Sequence, residues 1–318
     1  MSSVKTKLRK TAMKLALISI ASVLAWLLAA PQTAPQGKHL TVDMLNVGQG
    51  DSILITTPSG YQLLIDGGPN QSVLSELNAV MDAGDHSIDM LMLSHPDADH
   101  VTGLVDVLRD YQVQTILMPD VAKTTAVYKA WVEGINKEGA QLHVIKQAQT
   151  FTLPDGVRLT ILSPTPQTYH EGEPANDASI VVRLDYGQRS FLFTGDEEQT
   201  IEERLLADNN NHALLDVDVL KVPHHGSKTS STAEFIKVVS PQIALISVGK
   251  DNKYGHPSPA VIDRYQRQYS RILRTDQLGR IRLTTDGQTI DWPKACNPLQ
   301  SLLFSCTTEN VYNTGVQR

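Results

Sequence analysis

The chain writes one pattern twice. "SILITTPSGYQLLIDGG" (52–68) and "SIVVRLDYGQRSFLFTGD" (179–196) each start Ser-Ile and run through an apolar hairpin with a glycine turn, Gly60 or Gly187. Each ends in an acid beside glycine, Asp66 or Asp196. A second apolar run follows each hairpin, "IDMLMLSH" (88–95) and "VDVLKVPH" (217–224), alike in character position by position. Asp66 precedes His95 by 29 residues, and Asp196 precedes His224 by 28. Short β-rich runs bounded by glycine and proline read as strands. Two such units predict two similar half-folds packed face to face. Their loop ends would meet at one edge, with Asp196 and His224–His225 opposite "HPDADH" (95–100). Chance likeness between β-rich segments is the competing reading.

Around these units, short strands alternate with helices. "LTVDML" (40–45) reads as a strand, and the first hairpin turns at Pro58–Gly60. Residues 71–83, 101–110, 125–137, 196–208, 231–239 and 258–269 read as helices. Further strands are expected near 114–118, 141–145 and 157–162, and at "QIALISV" (242–248) and "RIRLTT" (280–285). Some fourteen strands with helices between them predict an α/β fold with sheets inside and helices outside. A chain of 318 residues has room for one such layered domain.

The ends read differently. Residues 1–36 hold five basic residues and no acid, and residues 15–30, "LALISIASVLAWLLAA", are uncharged throughout. This run is long for a signal-peptide core and short for a membrane span of about 20 residues. A cleaved signal and a single N-terminal anchor are the favoured readings, and either exports the body beyond the cytoplasmic membrane; a buried soluble helix is the alternative, disfavoured because nothing polar breaks its faces. "APQTAPQGKH" (30–39) is a linker. The expected division is 1–36 as signal or anchor with linker, 37–292 as the functional domain, and 293–318 as a tail. The two cysteines, Cys296 and Cys306, lie in that tail, either bonded or as free thiols. Of 28 basic and 34 acidic residues, 23 and 34 lie outside residues 1–36, a net charge of −11. A body that acidic does not attract polyanions by its overall field. A nucleic-acid substrate would need a local cationic feature such as bound metal.

"HPDADH" follows a buried strand and places His95, Asp97, Asp99 and His100 in a loop before a helix expected from Val101. Imidazole and carboxylate are the usual ligands of first-row divalent metals. Asp99 as a plain helix cap is the alternative. "FLFTGDEE" and "VLKVPHHGS" likewise end apolar strands with Asp196 and with His224–His225. A carboxylate such as Asp196 can bridge two cations about 3.5–4 Å apart. Five of ten histidines (His95, His100, His224, His225, His256) fall at or near these strand ends. His256 could donate a proton or contact a phosphate, or merely enter a helix. Ser227 and Lys228 could bind an anionic oxygen, and Lys253 reads as a solvated face. "VGQGDS" (47–52) lacks the lysine and helix of a phosphate loop, so Asp51 is read as holding a turn.

The series VGQGDS, LLIDGG, SHPDADH, NDAS, FTGD, VPHHGS, YGHPSP resembles the metallo-β-lactamase fold over roughly residues 40–290. More narrowly, it looks like the hydrolase domain of ComEC-type DNA-uptake proteins and their stand-alone relatives. The resemblance implies a four-layered αββα sandwich of two similar halves. It implies two divalent metal ions, Zn²⁺ or Mn²⁺. His95 and Asp97 would hold the first, Asp99 and His100 the second, and Asp196 would bridge them. One of His224 and His225 would complete the second site. The internal repeat points to His224, and the superfamily's Pro-x-His-Gly pattern points to His225, which is preferred. Asp66 would orient ligands from beneath, a plain turn acid being the alternative. Many members have histidine at Asp97 and another where this chain has Asn176–Asp177. Oxygen in place of nitrogen makes the first site harder and tolerant of Mn²⁺, and argues against β-lactam hydrolysis. Asn46 stands where the uptake proteins usually show aspartate.

The implied chemistry is hydrolysis, with the ions lowering the pKa of a shared water and offsetting charge on the attacked group. Asp196 would position the attacking group, with Asp99 and His256 as further catalytic residues. A phosphodiester fits best, single-stranded DNA being one form. A small ester, such as a phosphocholine ester or thioester, is the second substrate class. A non-catalytic metal-bearing module of a competence or envelope complex is the third reading. With at most one span, at its N-terminus, the chain is not expected to translocate DNA itself.

Overall fold

The computed structural model describes residues 39–293. The expected signal or anchor segment, most of the linker and both cysteines lie outside the described residues. The first half comprises β1 (Leu40–Met44), β2 (Ile53–Thr56), β3 (Gln62–Ile65), β4 (Ser87–Met92), β5 (Gln112–Pro119) and β6 (Gln141–Ile145). Its helices are α1 (Ser72–Val80), α2 (Ala98–Asp110) and α3 (Ala126–Glu138). The second half comprises β7 (Gln149–Thr152), β8 (Arg158–Ser163), β9 (Val181–Tyr186), β10 (Arg189–Phe193), β11 (Val219–Lys221), β12 (Ile243–Ile246) and β13 (Arg271–Arg274). Its helices are α4 (Gln199–Ala207), α5 (Asn209–Leu215), α6 (Ala233–Val239), α7 (Pro259–Arg267) and α8 (Thr275–Leu278). The strands β14 (Ile281–Thr285) and β15 (Ile290–Asp291) return to the first sheet.

The sheets run β15-β14-β1-β2-β3-β4-β5-β6 and β13-β12-β11-β10-β9-β8-β7. Strands β1–β6 and β8–β13 repeat one topology, two antiparallel steps followed by three parallel ones. Parallel neighbours need crossovers, which the helices supply. Alternation along each strand sorts the side chains into layers. Ile53, Ile55, Phe191 and Phe193 face the core between the sheets. Leu54 and Leu64 pack under α1–α3, and Leu192 and Leu220 under α4–α7. These three apolar layers define the four-layered αββα sandwich.

The duplication holds at strand level with one correction. Ile53 pairs with Ile65 and Val182 with Phe193, so Asp66 follows its strand directly while Asp196 stands three residues beyond its own. The two acids are therefore not equivalent in place. A second correction concerns α2, which starts at Ala98 rather than Val101. Asp97 has extended backbone angles and takes the N-cap position, so Asp99 and His100 lie in the first helical turn, not in a loop. Asp99 is not the cap.

Candidate metal centre

In open α/β sheets, ligands gather beyond the carboxyl ends of parallel strands. Here Asp66 follows β3, His95–His100 follow β4, Asp196 follows β10, His224–His225 follow β11, and His256 lies on the loop after β12. Glycine brings the first group inward. A side chain at Gly103 in α2 would strike the carbonyl of Gly67, and Gly67 N–H donates to the His100 carbonyl at 2.8 Å. The first turn of α2 thus rests directly on the chain leaving β3.

Asp66 is fully buried and accepts from Ser94 N–H at 2.7 Å and from Ser94 O–H at 2.6 Å. Its Oδ2 lies 2.8 Å from His100 Nδ1. The carboxylate favours the proton on Nδ1 and turns Nε2 towards the centre. His225 Nδ1 lies 2.9 Å from the Ser247 carbonyl, which orients that ring the same way. Asp196 Oδ2 stands 3.3 Å from His100 Nε2 and 3.3 Å from His225 Nε2. Asp99 Oδ2 lies 3.5 Å from His225 Nε2. Asp99, His100, Asp196 and His225 each offer one ligand atom within 4.8 Å of the others. His95 packs beside them, its ring 4.1 Å from that of His100. The Nε2 atoms of His95, His100 and His225 are buried and lack a hydrogen-bond partner.

The backbone here is strained. Asp66, His224 and His225 have φ of 59°, 47° and 53°, a region few non-glycine residues enter. Such strain persists only where the surroundings hold it, and it collects at functional sites. Ser179 Oγ accepts from Asp196 N–H at 3.1 Å, as Ser52 Oγ donates to the Asp66 carbonyl at 3.0 Å. The Ser-Ile start of each repeat therefore braces the acid of its own half.

Sequence reasoning missed Lys221 and under-read Asp51. Lys221 ends β11, facing the inter-sheet side at the place Met92 takes in the first half. Its ammonium lies 2.5 Å from Asp51 Oδ2 and 3.4 Å from Asp196 Oδ1, and it donates to the Gly195 carbonyl at 2.6 Å. One oxygen of Asp196 thus faces lysine and the other the histidines. Asp51 Oδ1 also lies 3.4 Å from His225 Nδ1. A charged residue inside the apolar run "VLKVP" was the available signal.

Charge governs protonation. Burial pushes Asp196 up, but His225, His100 and Lys221 outweigh it and hold its carboxyl well below the usual range. Burial pushes His100 down, but Asp196 and Asp66 outweigh it and raise its pKa well above the ordinary value. Asp196 and Asp51 do the same for His225 against its burial. Burial and the neighbouring His100 hold His95 well below the imidazole range. Burial, then His224 and His225, push His256 down to about 4.

Some expected residues stand aside from the close cluster. Asp97 is ion-paired with Lys123. His224 is the less buried of its pair, with Nδ1 3.0 Å from Glu198 and Nε2 3.8 Å from Asp196. The His256 ring is 5.5 Å from that of His224 and 6.4 Å from that of His225. Ser227 bonds to Thr229 Oγ1 at 2.9 Å, and Lys228 lines a surface hollow with Glu198. Asp177 is buried and pushed up by burial and Glu198, apart from the cluster.

The donor set fits divalent metal. The Nε2 atoms of His95, His100 and His225 are buried without a hydrogen bond, and the carboxylates of Asp99 and Asp196 lie among them, a nitrogen-and-oxygen donor set of the kind that holds first-row divalent ions. Buried polar atoms that make no hydrogen bond are costly unless a cation answers them. Residues 45–250 match the model of the metallo-beta-lactamase superfamily. The chain belongs to that superfamily. It is 32% identical over 260 residues to "ComE operon protein 3" of Bacillus subtilis, a match covering 76% of this chain and 32% of that protein. It is 32% identical over 256 residues to "Competence protein ComA" of Neisseria gonorrhoeae, covering 79% and 33%. The chain thus spans about a third of the length of these relatives. Among solved structures, the metallo-beta-lactamase fold protein YhfI of Bacillus subtilis superposes with a TM-score of 0.50 at 14% identity. That match covers 74% of this chain and 95% of YhfI. No helix of the described residues is long and apolar enough to cross a membrane.

Proposed function

We propose that residues 37–292 form an exported hydrolase that cleaves phosphodiester bonds with two divalent ions, Zn²⁺ or Mn²⁺. The observation that carries this reading is the convergence of the buried Nε2 atoms of His100 and His225 on one oxygen of Asp196, with the buried Nε2 of neighbouring His95 left without a hydrogen bond. When bound, the ions activate water and offset charge on the attacked phosphoryl group. His95, Asp97 and Asp196 would hold one ion; Asp99, His100, His225 and Asp196 the other. His225 is favoured over His224 because its Nε2 faces Asp196 and Asp99. Asp97 would have to leave Lys123 to bind.

The chain's own groups divide the remaining work. Asp66 and the Ser247 carbonyl hold the rings of His100 and His225 with Nε2 inward. Lys221 fixes Asp196 through Oδ1, leaving Oδ2 for the centre. His256 has its pKa pushed down to about 4, so it is neutral at pH 7 and better suited to hydrogen-bond a phosphoryl oxygen than to act as an acid. The likeness to competence proteins supports a nucleic-acid diester. The uncharged run at 15–30 supports export.

The test uses the full chain. Metal content is measured, and turnover of bis-p-nitrophenyl phosphate and of single-stranded DNA is followed with added Mn²⁺, beside Asp196→Ala. Turnover of both that disappears in the variant supports the reading. Full metal loading with no turnover would identify a binding module. Cleavage of small esters but not of DNA would identify a small-ester hydrolase.

A further inference from the structure

Asp99 of the cluster also lines a groove of about 590 Å³, together with Lys250, Lys253 and Tyr254 of the loop after β12. That loop is a built one. Asn252 donates through Nδ2 to the carbonyls of Gly249 at 2.9 Å and His256 at 2.8 Å, and its Oδ1 accepts from His256 N–H at 3.0 Å. Gly249 N–H donates to Gln49 Oε1 at 3.3 Å, tying the loop to another lining residue of the groove. This bonding closes the turn on itself and leaves the side chains of residues 250, 253 and 254 outside it, all three exposed.

Tyr254 is 66% exposed, so an aromatic ring stands in water at the groove wall. It stacks on His256 with ring centres 5.8 Å apart and planes 28° apart. His256 in turn stacks on His225 at 6.4 Å and 29°. The three rings form a ladder from the metal centre outward, ending in a ring that one neighbour leaves largely uncovered. Beside it the loop carries two lysines and one acid, Asp251, on a body whose net charge is −11 outside residues 1–36.

We propose that this groove is the subsite for a single-stranded polynucleotide. The base flanking the scissile phosphate stacks on Tyr254, and Lys250 and Lys253 take the adjoining phosphates. This inference rests on the phosphodiester reading above and adds what selects the substrate. Stacking on an aromatic ring tolerates any base, and lysines track the backbone, a combination suited to unpaired strands. A base-paired strand keeps its bases stacked on one another and cannot give one to Tyr254.

Binding separates this inference from the activity. The full chain in EDTA is titrated by fluorescence anisotropy with labelled oligothymidylate and with an abasic oligomer of equal length. Wild type is expected to bind the thymidylate about fivefold more tightly or better, the scale of one stacked base. Tyr254→Ala removes that preference and Tyr254→Phe keeps it, while K250A/K253A weakens both oligomers and flattens the salt dependence. Wild type binding both oligomers equally would overturn the proposal, as would a preference unchanged by Tyr254→Ala. Because Tyr254 is exposed, an unchanged melting temperature checks that the variant is folded. If the metal-loaded chain fails to hydrolyse a small diester, the phosphodiester reading fails instead, whatever the anisotropy shows.

Discussion

At the scale of single residues, two histidines decide how pH acts. The pKa values of His100 and His225 stand well above 6.5 in the metal-free chain because Asp196 lies against both rings. Both are charged at neutral pH, and each must lose a proton before Nε2 can ligate. Metal affinity should therefore rise with pH, with protons released on binding. Calorimetry in buffers of different ionisation enthalpy checks this. The stability contributed by these imidazolium–carboxylate contacts has the opposite slope. It is fully present below the unfolded pKa of 6.5 and lost as pH rises through the folded values. The metal-free chain should lose melting temperature on that alkaline side while the gain from added metal grows. Lys221→Met takes the ammonium away from the buried carboxylates of Asp51 and Asp196. It should cost about 3–5 kcal/mol in urea unfolding with EDTA, part of it restored by metal. The ligand candidates were legible because histidines and acids crowd the ends of apolar runs. Lys221 was not, since one lysine within a strand does not show which way it points. The pairing of Asp97 with Lys123 was also hidden, because 26 residues separate them.

At the scale of elements, the strands read correctly from sequence are those with dense apolar runs. The strands that escaped, β7, β13 and β15, lie at sheet edges. Edge strands are short and half-solvated, so their pattern is weak; the burial of β7 alternates between partial and none. The early start of α2 escaped because cap geometry, not periodicity, decides it. That start matters, since it puts Asp99 and His100 on a rigid turn. Gly103→Ala would drive α2 off Gly67. It should lower the melting temperature and weaken metal binding together, whereas an alanine at exposed Tyr269 should leave both within about 0.5 kcal/mol. Differential scanning with and without Mn²⁺ reads both effects.

At the scale of the whole molecule, the repeated hairpin-and-strand unit carried the architecture. Its two copies supply the two sheets, and matched strand order brings their loop ends to one edge. The non-equivalence of Asp66 and Asp196 escaped because the hairpins differ in length before the acid, a register that letters alone do not show. Phe191 sits in the layer between the sheets. Phe191→Ala should cost about 3–5 kcal/mol by urea unfolding. The most direct measurement of the central claim is the metal content of the full chain by plasma mass spectrometry after exposure to Mn²⁺ and desalting. The parent chain is compared with an Asp196→Ala, His225→Ala double variant. Bound metal in the parent and little in a folded double variant is the expected result. Equal metal in both, or none in the parent, would contradict the account.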